Sequence, residues 1–141
     1  MGDAIAAAML PFVQSLNWSI ELVIPIPLGK QRMHERGYNQ VAMIAKPLAM
    51  GLGLQYSPHA LARRKETRSQ VGLSREERQK NVHGAFQASG VQEKNVLIMD
   101  DVSTTGSTLS SGAEALYAAG AKEVYALTVA RALSHHDLRH V

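Results

Sequence analysis

The chain has 141 residues, no cysteine and a formal net charge of +3. That length suits one domain with a sizeable core. The missing thiols exclude disulfides, a thiolate zinc site and a cysteine nucleophile, and they fit a reducing cytoplasm. The mild positive balance suits anionic ligands without being a nucleic-acid signature, and two Phe with one Trp make no stacking platform for single strands.

In chain order, residues 4–16 read as a helix, with Pro11 placed to break or kink it. The apolar stretch from Ala4 to Val13 is too short to span a bilayer and has no basic residues before it. Ala6 stands where a myristoylation signal needs Ser or Thr. Leu22 to Leu28, punctuated by Pro25 and Pro27, predicts a buried strand ending in a rigid turn, and Lys30 to Arg36 a basic loop. Val41, Ile44, Ala45 and Leu48 recur at helical spacing, which predicts a helix over 38–50 despite Pro47, ended by Gly51 and Gly53. A short strand is expected at 59–63. Residues 63–79 are charged, with few apolar anchors, and Ser74-Arg75-Glu76-Glu77 has the capping-box pattern of a short helix. Ala85 to Ala88 predicts another strand and Val96 to Met99 the central one. The helix after it carries Leu109, Ala113 and Leu116 on one face and stops at Gly120. Val124 to Val129 is the next apolar strand. The unit 95–130 is therefore βαβ, which implies an α/β fold with a parallel sheet. Ligands of such sheets sit beyond the carboxyl ends of the strands, where Pro25, Asp100 and Arg131 fall.

The stretch Val96-Leu97-Ile98-Met99-Asp100-Asp101-Val102-Ser103-Thr104-Thr105-Gly106-Ser107-Thr108-Leu109 carries the most chemistry. A helix N-terminus offers unpaired N–H groups and a partial positive charge, both suited to a phosphate. Thr104, Thr105, Ser107 and Thr108 add donors, and Gly106 allows close approach or an unusual φ. Asp100 and Asp101 would repel a phosphate but can accept from vicinal hydroxyls. A phosphorylated sugar satisfies both halves. Nucleotide hydrolases also place acids after an apolar strand, but they need a Gly-rich loop ending in Lys-Ser/Thr, and this chain has none. A phosphorylation-receiver domain leaves the Thr-Thr-Gly-Ser-Thr run unexplained.

Pro25, Ile26, Pro27 and Leu28, followed by Gln31, Arg32, Arg36 and Asn39, form a rigid turn and a basic segment, a first candidate for binding an anion with backbone donors and cations. Arg63-Arg64-Lys65-Glu66-Thr67-Arg68-Ser69-Gln70 is a second. A cation-rich loop of this kind can close over a charged ligand and exclude water. His135, His136 and His140 have no completing acid or cysteine and read as a solvated tail.

The acid pair and the loop after it resemble the phosphoribosyl-diphosphate (PRPP) motif of type I phosphoribosyltransferases. That resemblance implies an open, mostly parallel, Rossmann-like sheet flanked by helices. It also implies that Asp100 and Asp101 hold the ribose hydroxyls and that Thr104 to Thr108 wrap the 5′-phosphate. The segment Pro25 to Arg36 stands where the family binds pyrophosphate. Arg64, Lys65 and Arg68 are similar to the flexible catalytic hood of the orotate enzymes, although Gln70 replaces their histidine. Pro-Ile-Pro at 25–27, Arg-Gly-Tyr-Asn at 36–39, Lys-Glu-Thr-Arg-Ser-Gln at 65–70, the run from Leu73 to Phe86 and Val129-Ala130-Arg131 resemble the ComF/GntX subfamily over about residues 22–131.

The subfamily implies a cytoplasmic protein linked in some bacteria to competence and the use of external DNA. Its members usually begin with a cysteine-containing zinc ribbon. With no cysteine, the chain is read as one phosphoribosyltransferase domain over 1–141 without that ribbon and with no metal-ligating residues assigned; either it is a fragment or the ribbon is lost. Two functions are carried forward. One is an enzyme that binds PRPP with Mg2+ and passes ribose 5-phosphate to an unidentified nitrogen acceptor. The other is a non-catalytic module that senses PRPP or a nucleotide and acts through a protein partner in DNA uptake. A competence-protein partner and a homodimer are among the expected associations; direct nucleic-acid and membrane binding are not.

Overall fold

The computed structural model describes residues 2–28, 33–35, 37, 39–64, 85–101 and 106–129. Helix α1 (Gly2–Ser15) leads into strand β1 (Leu22–Pro25), helix α2 (Gln40–Leu52) and the two-residue strand β2 (Gln55–Tyr56). Strands β3 (Leu61–Arg63) and β4 (Phe86–Ala88) form an antiparallel ribbon. Strand β5 (Asn95–Asp100), helix α3 (Ser107–Ala118) and strand β6 (Glu123–Thr128) follow. The main sheet has the order β2-β1-β5-β6, and each neighbouring pair in it is parallel.

β5 is central and buried on both faces, from Val96 through Met99. Strand side chains alternate between faces, and the core divides accordingly. Val23, Leu97, Met99 and Leu127 pack with α1 and α2 on one face. Leu22, Ile24, Val96 and Ile98 pack with α3 and the β3–β4 ribbon on the other. The continuous apolar run of β5 is what a parallel strand with helices on both sides requires.

The two proline-containing helices run through. Pro11 lies on the exposed side of α1, whose buried positions Gly2, Ala6, Met9 and Val13 keep helical spacing, so the expected break does not occur. Pro47 lacks the N–H that would bond the Met43 carbonyl. The start of α1 packs at that carbonyl, so closely that a Cβ on Gly2 would collide with it. The two helices pack together from this contact to that of Leu10 with Gly51. Gly51 lies within α2; only Gly53, with φ +71°, ends it. Gly51 faces α1, where Leu10 packs over it and a Cβ would make ordinary contact at 3.4 Å. Gly112 in α3 is more tightly placed: a Cβ there would stand 3.1 Å from Ile26 Cδ1 and 3.4 Å from Leu61 Cδ2. The helix therefore sits low on the sheet, against the residue that begins the loop after β1. The expected helix at 74–77 lies outside the described residues.

Candidate functional site

β1 and β5 are hydrogen-bonded neighbours, with Pro25 opposite Met99. The Ile26 N–H extends the ladder by donating to the Met99 carbonyl at 2.8 Å. Beyond that point the chains part. β1 feeds α2 on one face and then β2 at one edge; β5 feeds α3 on the other face and then β6 at the opposite edge. This reversal of direction makes a crevice between two carboxyl ends, the usual ligand site of an open parallel sheet. Ile26 and Pro27 stand on one side of it, Asp100 and Asp101 on the other.

Asp100 is the last residue of β5 and Asp101 the first beyond it; both are half-buried. Asp100 Oδ1 accepts from the Asp101 N–H at 2.8 Å, which orients its carboxylate at the strand end. A carboxylate has about four acceptor positions, so capacity remains for hydroxyl donors. Gly106 is the N-cap of α3, with φ +75° and ψ 0°. A Cβ there would meet nothing within 4 Å. Of the two roles open to this glycine, the structure assigns the conformational one. Gly106→Val is expected to lower stability by about 1–3 kcal/mol, the cost of holding a β-branched residue at positive φ. Gly106→Asn should cost less because Asn tolerates this region. Urea unfolding of the two variants checks the order.

The two helices that open onto the crevice differ at their N-termini. Asn39 caps α2: its Oδ1 accepts from the N–H groups of Val41 at 3.0 Å and Ala42 at 3.3 Å. Gly106 has no side chain to do the same for α3, whose first turn also lacks an acidic residue. Backbone N–H groups and the partial positive charge at a helix start of this kind suit an anion. Thr108 is half-buried in that first turn, while Thr104 and Thr105 lie outside the described residues. Ser107 begins the helix.

Asn39, grouped in the sequence with the basic segment after β1, acts as a structural clamp, because its amide is engaged at both ends. Its Nδ2 donates to the Ile26 carbonyl at 3.1 Å, tying the loop after β1 to the helix that follows. Asn39→Ala is expected to cost about 1–2 kcal/mol through the lost cap. Asn39→Ser, which still caps but is too short to reach Ile26, should recover most of it in thermal unfolding.

Arg63, read from the sequence as part of a basic anion-binding run, reaches the loop after β1. Its Nε donates to the Pro27 carbonyl at 2.9 Å and its guanidinium lies over the Phe86 ring, 4.9 Å from the centroid. The neighbouring Arg64 side chain is exposed, so the two adjacent arginines have different environments. Arg32, Arg36, Lys65, Arg68 and Arg131 lie outside the described residues. Sequence reading missed both clamps. An Asn just before an apolar helical run is a cap signal that could have revealed the first; the second joins distant segments and has no local signal.

The phosphoribosyl transferase domain family matches the chain over residues 42–139, well over half of its length. The chain belongs to the phosphoribosyl transferase domain family. The match begins inside α2, so it takes in the acid pair and α3 but not the loop after β1. Within the type I phosphoribosyltransferase superfamily the chain is a ComF-family member. It is 36% identical over 112 residues to DNA utilization protein YhgH of Escherichia coli O157:H7, covering 79% of this chain and 49% of that protein. It is 34% identical over 116 residues to competence protein F of Haemophilus influenzae, covering 79% and 51%. The chain thus spans about half the length of the curated relatives it matches. Among solved structures it is similar to the glutamine PRPP amidotransferase from B. subtilis, with TM-score 0.61, 21% identity, and coverage of 91% of this chain and 26% of that one. That likeness establishes the type I phosphoribosyltransferase fold. Among the described residues no helix is long and apolar enough to cross a membrane.

Proposed function

We propose that this phosphoribosyltransferase domain binds PRPP with magnesium and transfers ribose 5-phosphate from pyrophosphate to a nitrogen nucleophile. The observation that carries the reading is the crevice between β1 and β5, with an acid pair on one strand end and the N-terminus of α3, entered through Gly106, beside it. Asp100 and Asp101 accept from the ribose 2′- and 3′-hydroxyls and stabilise positive charge growing on the ring as the bond to pyrophosphate breaks. The first turn of α3, with Thr108, holds the 5′-phosphate. The loop at 25–28 receives the pyrophosphate, with Arg32, Arg36, Lys65 and Arg68 as its proposed cations. The two carboxylates are oxygen donors of the kind magnesium takes one or two at a time beside a substrate's phosphates. When bound, the ion neutralises charge on the leaving group.

Calorimetric titration with magnesium-PRPP, followed by a pyrophosphate-release assay over a panel of nucleobases, tests this directly. Absence of PRPP binding overturns it. Gly106→Val should also weaken binding of ribose 5-phosphate, which shares only the phosphate half; an unchanged affinity would place the phosphate elsewhere.

A second reading is favoured by the relatives' names, which refer to DNA utilization and competence and not to a transferase. In it the same crevice senses PRPP or a nucleotide and signals through a protein partner in DNA uptake, in a cytoplasmic setting that the lack of cysteine suits. PRPP binding without pyrophosphate release on any acceptor, together with a DNA-uptake phenotype that survives loss of both acids, would select it.

A further inference from the structure

The loop after β1 is held from both sides of the sheet. Asn39, at the start of α2, donates to the Ile26 carbonyl. Arg63, at the end of β3, donates to the Pro27 carbonyl. Two successive carbonyls are thus fixed by donors from different layers. A peptide unit is planar and trans, so fixing the Pro27 oxygen also fixes the Leu28 N–H on its opposite side. Arg63 is itself braced by Phe86, its directly opposed residue on β4. One step further, the Arg64 N–H donates to the Ala85 carbonyl at 2.8 Å. The ribbon is therefore closed up to the two points from which segment 65–84 leaves it, and one side chain joins those points to the loop at 25–28.

Resting on the reading of that loop as the pyrophosphate site, we infer that Arg63 is a positioning residue that couples the β3–β4 ribbon to the loop and sets its backbone for the pyrophosphate of the donor. A loop free to turn carbonyl oxygens toward a polyanion would repel it. Donors already aimed lower the reorganisation that binding requires. Arginine suits the task because one planar group can donate Nε to a carbonyl while its face lies on an aromatic ring. Lysine offers no such combination. The ribose 5-phosphate half of the ligand, held at the end of β5 and the start of α3, does not depend on this link.

The test compares three ligands, magnesium-PRPP, magnesium-pyrophosphate and ribose 5-phosphate, on the parent chain and on Arg63→Met and Arg63→Lys. Arg63→Met keeps the apolar stem; Arg63→Lys keeps the charge and serves if the first fails to fold. The expected result is an affinity loss of about tenfold for PRPP and pyrophosphate, the scale of one charge-assisted hydrogen bond, with ribose 5-phosphate binding unchanged. Phe86→Leu, which removes the brace and leaves Arg63 in place, should give a smaller loss of the same selectivity. An equal loss for all three ligands, or no loss for any, overturns the inference while the parent's PRPP binding still supports the site. A parent that binds ribose 5-phosphate but not pyrophosphate overturns both the loop assignment and this coupling, and a parent that binds none overturns the proposed function itself.

Discussion

Replacing Asp100 and Asp101 together with alanine is expected to weaken magnesium-PRPP binding by about 100-fold or more and to leave the fold standing. A hydrogen bond to a charged group contributes about 1.5–3 kcal/mol. Two carboxylates serving two ribose hydroxyls therefore contribute about 3–6 kcal/mol, or roughly two to four orders of magnitude in affinity. The cost to folding is small by comparison. Both residues sit half-buried at the strand end, outside the two apolar clusters, and the contact between them is a single bond to a neighbouring amide. Titration calorimetry and urea unfolding on the same preparations separate the two quantities. A double variant that binds PRPP like the parent would show that the sugar lies elsewhere, and one that unfolds would show that the carboxylates serve the fold.

Leu97→Ala, three residues earlier on the same strand, should do the opposite. Leu97 is fully buried and packs with Met9, Val41, Ile44 and Leu48 from α1 and α2. Truncating such a side chain removes its transfer free energy and leaves a cavity, together about 2–5 kcal/mol. Domains of this size are stable by about 5–15 kcal/mol, so the urea midpoint should fall steeply. Affinity for PRPP in the fraction that remains folded should stay within a fewfold of the parent, because Leu97 faces the helices and not the crevice. Saturating PRPP should raise the midpoint of the variant and of the parent alike, by mass action on the folded state. A loss below about 1 kcal/mol would mean that the α1–α2 layer is not packed on β5 as described.

The contrast between these two variants follows from the alternation of a buried strand that ends at a ligand site. From Val96 to Met99 each side chain of β5 belongs to one apolar cluster or the other. At Asp100 the strand reaches the carboxyl end of the sheet, burial is only partial and polar side chains become tolerable. Stability and binding are therefore carried by adjacent but separate residues, and substitutions in each should be close to independent in free energy.

The β5–α3–β6 unit was legible from the sequence because its signals are local. A four-residue apolar run, an acid pair, glycines at 106 and 120 and helical spacing between them all fall within one contiguous stretch, and the strand and helix lie where those residues predict. The helix at 40–52 was legible for the same reason, although Gly51 lies inside it and only Gly53 ends it; that Gly51 faces α1 is something no local pattern reports. β2 was missed because Gln55 and Tyr56 form no apolar run; they pair with β1 only because α2 returns the chain to its edge. The choice of β5 as the other neighbour of β1, the placing of α2 and α3 on opposite faces, and the link from Arg63 to Pro27 join segments far apart in the chain. These are decided by which apolar faces can be buried together. By itself the sequence determined the strand, the acid pair and the helix start that make half of a sugar-phosphate site. Only the tertiary structure brought the Pro25–Leu28 loop beside it, because the neighbour of a strand is chosen by shared burial and not by any residue within the strand.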